Sequence, residues 1–337
     1  MQIFQSAKKD PKILRGNLFG LISKEIELVE EEFRVNAASN IQVIDFLGDY
    51  LRGSGGKRIR PSLLILANKA AGADGASDST IRMATVMEML HTATLVHDDI
   101  IDNADTRRNM PSVNSRFGNQ ASVLMGDWLY MSAFEIALRE RSLEILDILT
   151  ELTRRMTEGE LIQLTVLGRS DISEETYFDI LCRKTAFLFS ACCEIGAILA
   201  GAGKAERSAM REFGLNLGIA FQLADDLLDF TARKDVIGKA SGADLIEGKL
   251  TLPLILLVED DPSERNRLEQ IMRDGAYIGD ARRDLLEKLE DSGALRRARR
   301  KAMEYADLAK RNIAILPKTE YRLALEDIPT LMIEREN

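Results

Sequence analysis

Residues 81–102 read IRMATVMEMLHTATLVHDDIID. Met83, Val86, Met87, Leu90, Leu95 and Ile101 recur at the spacing of a helix and do not alternate as a strand would. Three aspartates, Asp98, Asp99 and Asp102, close the run. At about 100° per residue, Asp98 and Asp102 lie about 40° apart and one turn from each other. Two carboxylates so placed repel unless a cation sits between them. A second stretch, FQLADDLLD at 221–229, repeats the spacing with Asp225, Asp226 and Asp229. Either cluster alone would read equally well as a solvated helix end. Two identical patterns, each behind an apolar helix, point instead to carboxylates that need partners. Their oxygens suit Mg²⁺, which completes its shell with waters and phosphates.

The same periodicity continues outward over Ala121–Leu138, Ser142–Leu167, Glu174–Ala200 and Ala205–Phe230. No alternation is long enough for a sheet, so the fold class is all-α. The seven prolines sit where helices begin or loops turn. Glycine-rich joints at 52–56, 72–75, 201–203 and 238–248 are too short to be interdomain linkers. One domain over 1–337 follows, with its motifs at 51–257 and charged, peripheral helices at 258–337. Hydrophobic residues make up 45% of the chain, enough for a large core.

A net charge of −9 with dispersed basic residues speaks against a nucleic-acid partner. Cys182, Cys192 and Cys193 have neither disulfide nor zinc spacing. No signal-peptide stretch or spanning run is evident, so a cytoplasmic protein is expected. The run Ala121–Leu138, with Trp128 and Tyr130, is more apolar than one neighbouring helix would cover, and is expected at a subunit interface.

Cations accompany the aspartates. Gly55-Gly56-Lys57-Arg58-Ile59-Arg60-Pro61 combines glycines, three basic side chains and a helix start, which suits an anion. Arg107-Arg108 follows Asp102, Lys184-Thr185 lies in a helix, and Lys239 and Lys249 lie in the glycine-rich loop after Asp229. Singly, each is more often a surface cation; metals together with arginine forks are how proteins hold diphosphates.

In order, GGKRIRP, HTATLVHDDIID, RR, GDWLY, KT, FQLADDLLD, GK and EGKLTLPL resemble the polyprenyl synthetases, the trans-isoprenyl diphosphate synthases, and most of all the bacterial octaprenyl-forming members. The resemblance implies a bundle of ten or more helices around a deep central cavity. It implies a homodimer that condenses isopentenyl diphosphate with an allylic diphosphate such as farnesyl diphosphate, and allows a peripheral membrane contact for product release.

By the same resemblance, Asp98, Asp102 and Asp225 ligate about three Mg²⁺, with Asp99, Asp226 and Asp229 in support. Arg107, Lys184, Thr185, Gln222 and Lys239 hold the allylic diphosphate. Lys57, Arg60, His91 and Arg108 hold isopentenyl diphosphate; His91 lies seven residues before Asp98, about 20° from it around the helix. Short-chain members carry Phe or Tyr four or five residues before the first aspartate. Here Thr94 and Ala93 stand there, with Leu90 and Met87 below, which implies an open tunnel and a long product, hexaprenyl to decaprenyl with octaprenyl favoured.

Two departures are notable: Asn109-Met110 follows the arginine pair, and Gly242-Ala243-Asp244 carries one acidic residue where the family often has two. A shorter-chain synthase, a class I terpene cyclase, a non-catalytic subunit of a two-component synthase and a ligandless helical scaffold are the alternatives. The repeated DDxxD pattern and the GGKRIRP segment speak against the last three.

Overall fold

The computed structural model describes residues 20–53, 55–107, 110–231 and 242–334. The chain begins with α1 (Ser23–Asn36), α2 (Gln42–Gly53), α3 (Ile59–Ala70) and α4 (Asp78–Ile101). A two-residue ribbon pairs β1 (Thr106–Arg107) with β2 (Met110–Pro111) antiparallel, the only strands among the described residues. Then come α5 (Val113–Phe117), α6 (Asn119–Leu138), α7 (Leu143–Val166) and α8 (Glu174–Leu181). A π-helical turn, Cys182–Ala186, joins α8 to α9 (Phe187–Leu199). After α10 (Lys204–Thr231) follow α11 (Ala243–Ile246), α12 (Leu252–Asp260), α13 (Glu264–Asp274), α14 (Ala281–Asp291), α15 (Ala294–Asn312) and α16 (Glu320–Ile333). The all-α expectation holds.

The aspartate-bearing helix is fixed at both ends. The Ser77 hydroxyl accepts from the Thr80 N–H, capping the start of α4. At the other end Asn103 turns left-handed (φ 50°), and the Ala104 and Asn103 N–H groups close on the Asp99 and Ile100 carbonyls. That is a Schellman stop, which asparagine tolerates almost as glycine does. It places Asp98 and Asp102 in the last turn, where backbone ends and carboxylates share one mouth.

Two apolar clusters fill the interior. The larger gathers α3, α4, α6, α7, α9 and the first half of α10. The smaller gathers α12 to α15 around the second half of α10. The expectation that everything after residue 258 is peripheral needs correction. α16 returns to the larger cluster through Leu325, Ile328, Leu331 and Met332. α15 lies along α10 by a stripe of Ala298, Ala302, Ala306 and Ala309. Alanine is small enough for close helix contact, and so carries the packing of α15 without the bulk that marks a core helix in a sequence.

Candidate active site

Asp98 is half-buried at the end of α4. Burial, Glu160 and Asp102 push its carboxyl up to about 7, with Lys184 and Arg107 pulling the other way. Asp99 faces away from that pair and is only 3% exposed. Arg107, delivered by the ribbon, donates to it through Nε at 2.8 Å. Asp102 accepts from Lys249 Nζ at 3.2 Å, which ties the first cluster to the loop beyond the second. Lys249 also donates to Glu247 at 2.9 Å.

The second cluster divides by exposure. Asp225 is exposed, while Asp226 is buried. Tyr177 donates its hydroxyl to one Asp226 oxygen, and Gln222 Nε2 donates to the other at 2.8 Å. Thr185 in turn donates to Gln222 Oε1 at 3.0 Å. Burial and neighbouring carboxylates raise Asp226 to about 6 against these donors, and burial beside Asp226 and Asp229 raises Asp244 to about 8. Asp229 accepts the backbone N–H groups of Ala243 at 3.0 Å and Asp244 at 3.3 Å. It therefore clamps the loop that carries Asp244 and Lys249.

Lys184 sits in the π turn, not in a regular α-helix. Its Nζ reaches Glu160 at 2.7 Å and Gln163 at 2.9 Å on α7. Two glycines make that position accessible. A Cβ on Gly159 would stand 2.7 Å from Arg183 Cβ, and one on Gly218 would stand 2.6 Å from Ala186 Cα. α7 and α10 thus pinch the π turn from either side, and Lys184 and Thr185 are presented between them. A cavity of about 250 Å³ opens here, lined by Gln163, Lys184, Thr185, Gln222, Asp226 and Lys249 among others.

Of the basic segment, Lys57 is exposed and Arg60 lies over the Phe189 ring at 5.3 Å. Arg58, the middle cation, is a structural residue: it adopts a left-handed backbone (φ 47°) and pairs with Glu30 and with Glu88, the latter at 2.7 Å. His91 is half-buried, its carbonyl accepting from the Thr94 hydroxyl at 2.8 Å. Arg107, expected on a diphosphate, has its guanidinium on Asp99 instead. Its partial exposure, beside a small hollow shared with Gly55 and Thr92, still leaves one edge open to an anion. Arg108 and Lys239 lie outside the described residues.

Met87, Leu90 and Ala93 are fully buried within the larger apolar cluster, and neither they nor Thr94 line the 250 Å³ cavity. Sequence reasoning missed Glu160, Gln163 and Tyr177, and left Asp244 and Lys249 without roles. Glu160 and Gln163 lie one turn apart on α7, a helix with at least as many polar as apolar residues, so nothing in the sequence set them apart.

The donor set suits a hard divalent cation. It consists of carboxylate oxygens, and Asp98 is raised first by burial and then by Glu160 and Asp102, a strain that a divalent cation between the carboxylates would relieve. No group of three or more metal-ligating side chains is already gathered among the described residues. Two separated carboxylate clusters fit Mg²⁺, which takes one or two carboxylates and fills its shell from water and phosphate, better than a protein cage would.

Comparison with known proteins agrees with this chemistry. The family model described as polyprenyl synthetase matches residues 41–288. The octaprenyl diphosphate synthase of Escherichia coli (strain K12) is 40% identical over 311 residues, covering 90% of this chain and 95% of that protein. An all-trans-nonaprenyl-diphosphate synthase (geranyl-diphosphate specific) of Rhodobacter capsulatus is 34% identical over 95% of this chain and 98% of its own. The crystal structure of a polyprenyl synthase from Caulobacter crescentus CB15, complexed with calcium and isoprenyl diphosphate, superposes with a TM-score of 0.89. It is 36% identical and covers 96% of this chain and 98% of that one. With a family model over most of its length and near-complete relatives at this identity, the chain belongs to the polyprenyl synthetase family.

Proposed function

We propose that this chain is a long-chain trans-polyprenyl diphosphate synthase, which adds isopentenyl diphosphate units head to tail to an allylic diphosphate. The observation that carries the reading is the pair of carboxylate clusters on α4 and α10, joined across one mouth by the Lys249–Asp102 contact. Asp98 and Asp102 from one side and Asp225 from the other would hold Mg²⁺. When bound, the metal supplies Lewis-acid neutralisation of the charge gathering on the departing diphosphate.

The chain's own residues do the rest. Lys184, Thr185 and Gln222 line the cavity and offer the allylic diphosphate a cation and two hydrogen-bonding groups. Lys57, Arg60 and His91 receive isopentenyl diphosphate on the α3 side. Fixed charges in a half-buried site act without the reorganisation that water would need. As the C1–O bond breaks, the isopentenyl double bond attacks C1, and the proton then lost leaves with the released diphosphate. Apolar walls keep water from the cation.

Product length is assigned to Ala93 and Thr94 by the family resemblance, in which small residues at these positions accompany long products; both lie below Asp98 on α4. An octaprenyl product is favoured by the Escherichia coli relative. A homodimer is supported by Leu124, Met131 and Leu138 on α6, which are 69%, 64% and 48% exposed and recur every seven residues along one stripe. Trp128 and Tyr130, expected in that interface, are half-buried against the core instead. Free Cys182, Cys192 and Cys193 support a reducing, cytoplasmic setting.

The test is chain-length analysis of the product made by the purified chain from farnesyl diphosphate, excess isopentenyl diphosphate and Mg²⁺. A product of hexaprenyl to decaprenyl length is expected. Termination one condensation after the primer would overturn the long-chain assignment, and no condensation at all would return the non-catalytic subunit.

A further inference from the structure

The outward face of α15 is unlike the rest of the surface. This helix holds seven basic and two acidic residues in a chain whose net charge is −9. Arg297 pairs with Asp260, Lys301 with Glu174, and Lys310 with Asp307 at 3.9 Å. Arg296, Arg299, Arg300 and Arg311 are exposed and form no ion pair among the described residues. In a protein whose surface is otherwise laced with salt bridges, four such arginines on one helix stand out. At about 100° per residue they fall with Met303 within an arc of about 120°. Asp307 lies inside that arc and Glu304 at its edge, so the face is basic but not uniformly so.

One exposed apolar side chain sits among these cations, and others lie at the edge and end of the strip. Met303 is 52% exposed and Leu308 lies on the flank. Ile315, 60% exposed, follows the end of the helix, three residues before exposed Lys318. Nineteen residues of helix span about 28 Å, a strip and not a pocket. A free phosphate would need donors converging on one point. Arginines spread along a strip, with Met303 between them and Ile315 past its end, match an extended anionic surface that has an apolar layer beneath.

We infer that the outer face of α15, continued past its end by Ile315, docks the enzyme on an anionic lipid bilayer. The inference rests on the proposed function in one respect: water-soluble diphosphates enter and a polyprenyl lipid leaves, so a bilayer is where the product must go. No helix among the described residues is long and apolar enough to cross a membrane, so contact would be peripheral.

The test is co-sedimentation of the full chain with phosphatidylcholine vesicles, with and without phosphatidylglycerol. Binding is expected only with phosphatidylglycerol, and should fall as salt rises to about 0.5 M, where screening is nearly complete. Replacing both Arg299→Gln and Arg300→Gln should weaken partitioning about twentyfold to thirtyfold, at about fivefold per arginine near a charged bilayer. Met303→Ser should weaken binding without changing its salt dependence. Equal binding to neutral vesicles, no binding to either, or an unaffected arginine variant would overturn the proposal. A changed oligomeric state in the lipid-free variant would also overturn it, in favour of a second copy as the occupant. Soluble turnover of the variants, measured in parallel, should stay at the wild-type level. In the wild-type chain, absence of vesicle binding alongside intact polyprenyl synthesis refutes the docking surface alone; vesicle binding without polyprenyl synthesis refutes the activity.

Discussion

Replacing Tyr177 with phenylalanine removes one atom from the site and leaves the ring in its apolar cluster. The lost hydroxyl donates to buried Asp226, whose carboxyl burial has already raised from 3.8 to about 6. A hydrogen bond to an ionised group contributes roughly 1.5–3 kcal/mol, and one to a neutral group about 1. The variant should therefore lose about 1 kcal/mol where Asp226 is protonated and about 2–3 where it is ionised. The difference corresponds to a further rise of about one pH unit in the folded carboxyl.

An acid whose folded pKa lies above its unfolded value makes folding less favourable as pH rises through that interval. The Tyr177→Phe chain should thus match wild type most closely near pH 5 and fall furthest behind near pH 8. At roughly 2.1 cal/mol/K per residue, a chain of 337 residues unfolds with about 0.7 kcal/mol/K. The Tm deficit should be about 1–2 °C at the acid end and about 3–4 °C at the alkaline end. Scanning calorimetry of metal-free protein in chelator would read it. Because Asp226 and Asp244 repel each other, the transition belongs to the pair. A Tm deficit equal at both ends, or larger in acid, would refute the reasoning.

Asp98→Ala should lower turnover at least about a hundredfold, about 2.7 kcal/mol of transition-state stabilisation, with Asp102→Ala and Asp225→Ala alike; steady-state rates at saturating Mg²⁺ decide, and near-normal turnover rejects the ligand assignment. Lys184→Ala should raise KM for the allylic substrate, whereas Lys57→Ala and Arg60→Ala should raise it for isopentenyl diphosphate; equal rises for both substrates in every variant would dissolve the two-site division. Gly159→Ala forces a Cβ within 2.7 Å of Arg183 and should cost about 1–3 kcal/mol by overpacking. Its KM for the allylic substrate should rise with the loss in Tm, and a KM unchanged alongside a lowered Tm would detach the Gly159 contact from Lys184.

The aspartate clusters were legible because their chemistry and their helical phase sit in adjacent residues. Asp98 and Asp102 share a face by arithmetic alone, and α4 ends where that arithmetic needs it to. Glu160 and Gln163 were not legible. They reach Lys184 only because Gly159 lets two distant segments touch, and such contacts leave no periodic trace. The π turn was hidden for the opposite reason: apolar spacing before and after it is helical, so Glu174–Ala200 reads as one helix. The family resemblance assigns Arg107 to a diphosphate; that its guanidinium also holds buried Asp99 depends on the ribbon and could not be read from the order of residues. The Ala243 departure, which suggested one acidic group fewer near the metals, now has a local account. The Ala243 and Asp244 N–H groups both cap Asp229, which depends on their backbone and not on the Ala243 side chain.

A π turn holds one more residue than the α-helical path it replaces, as the Phe187 N–H reaching back to the Cys182 carbonyl records. In genetic terms, the mark of such a turn is a single added codon. Removing one codon from 182–186 would return the segment to plain α-helix and leave α8 and α9 in phase with the core on either side. Lys184 and Thr185 would meanwhile swing by about 100°. Within this scaffold, the grip on a diphosphate is therefore separable by one deletion from the ability to fold, and lineages that lose the first need not lose the second.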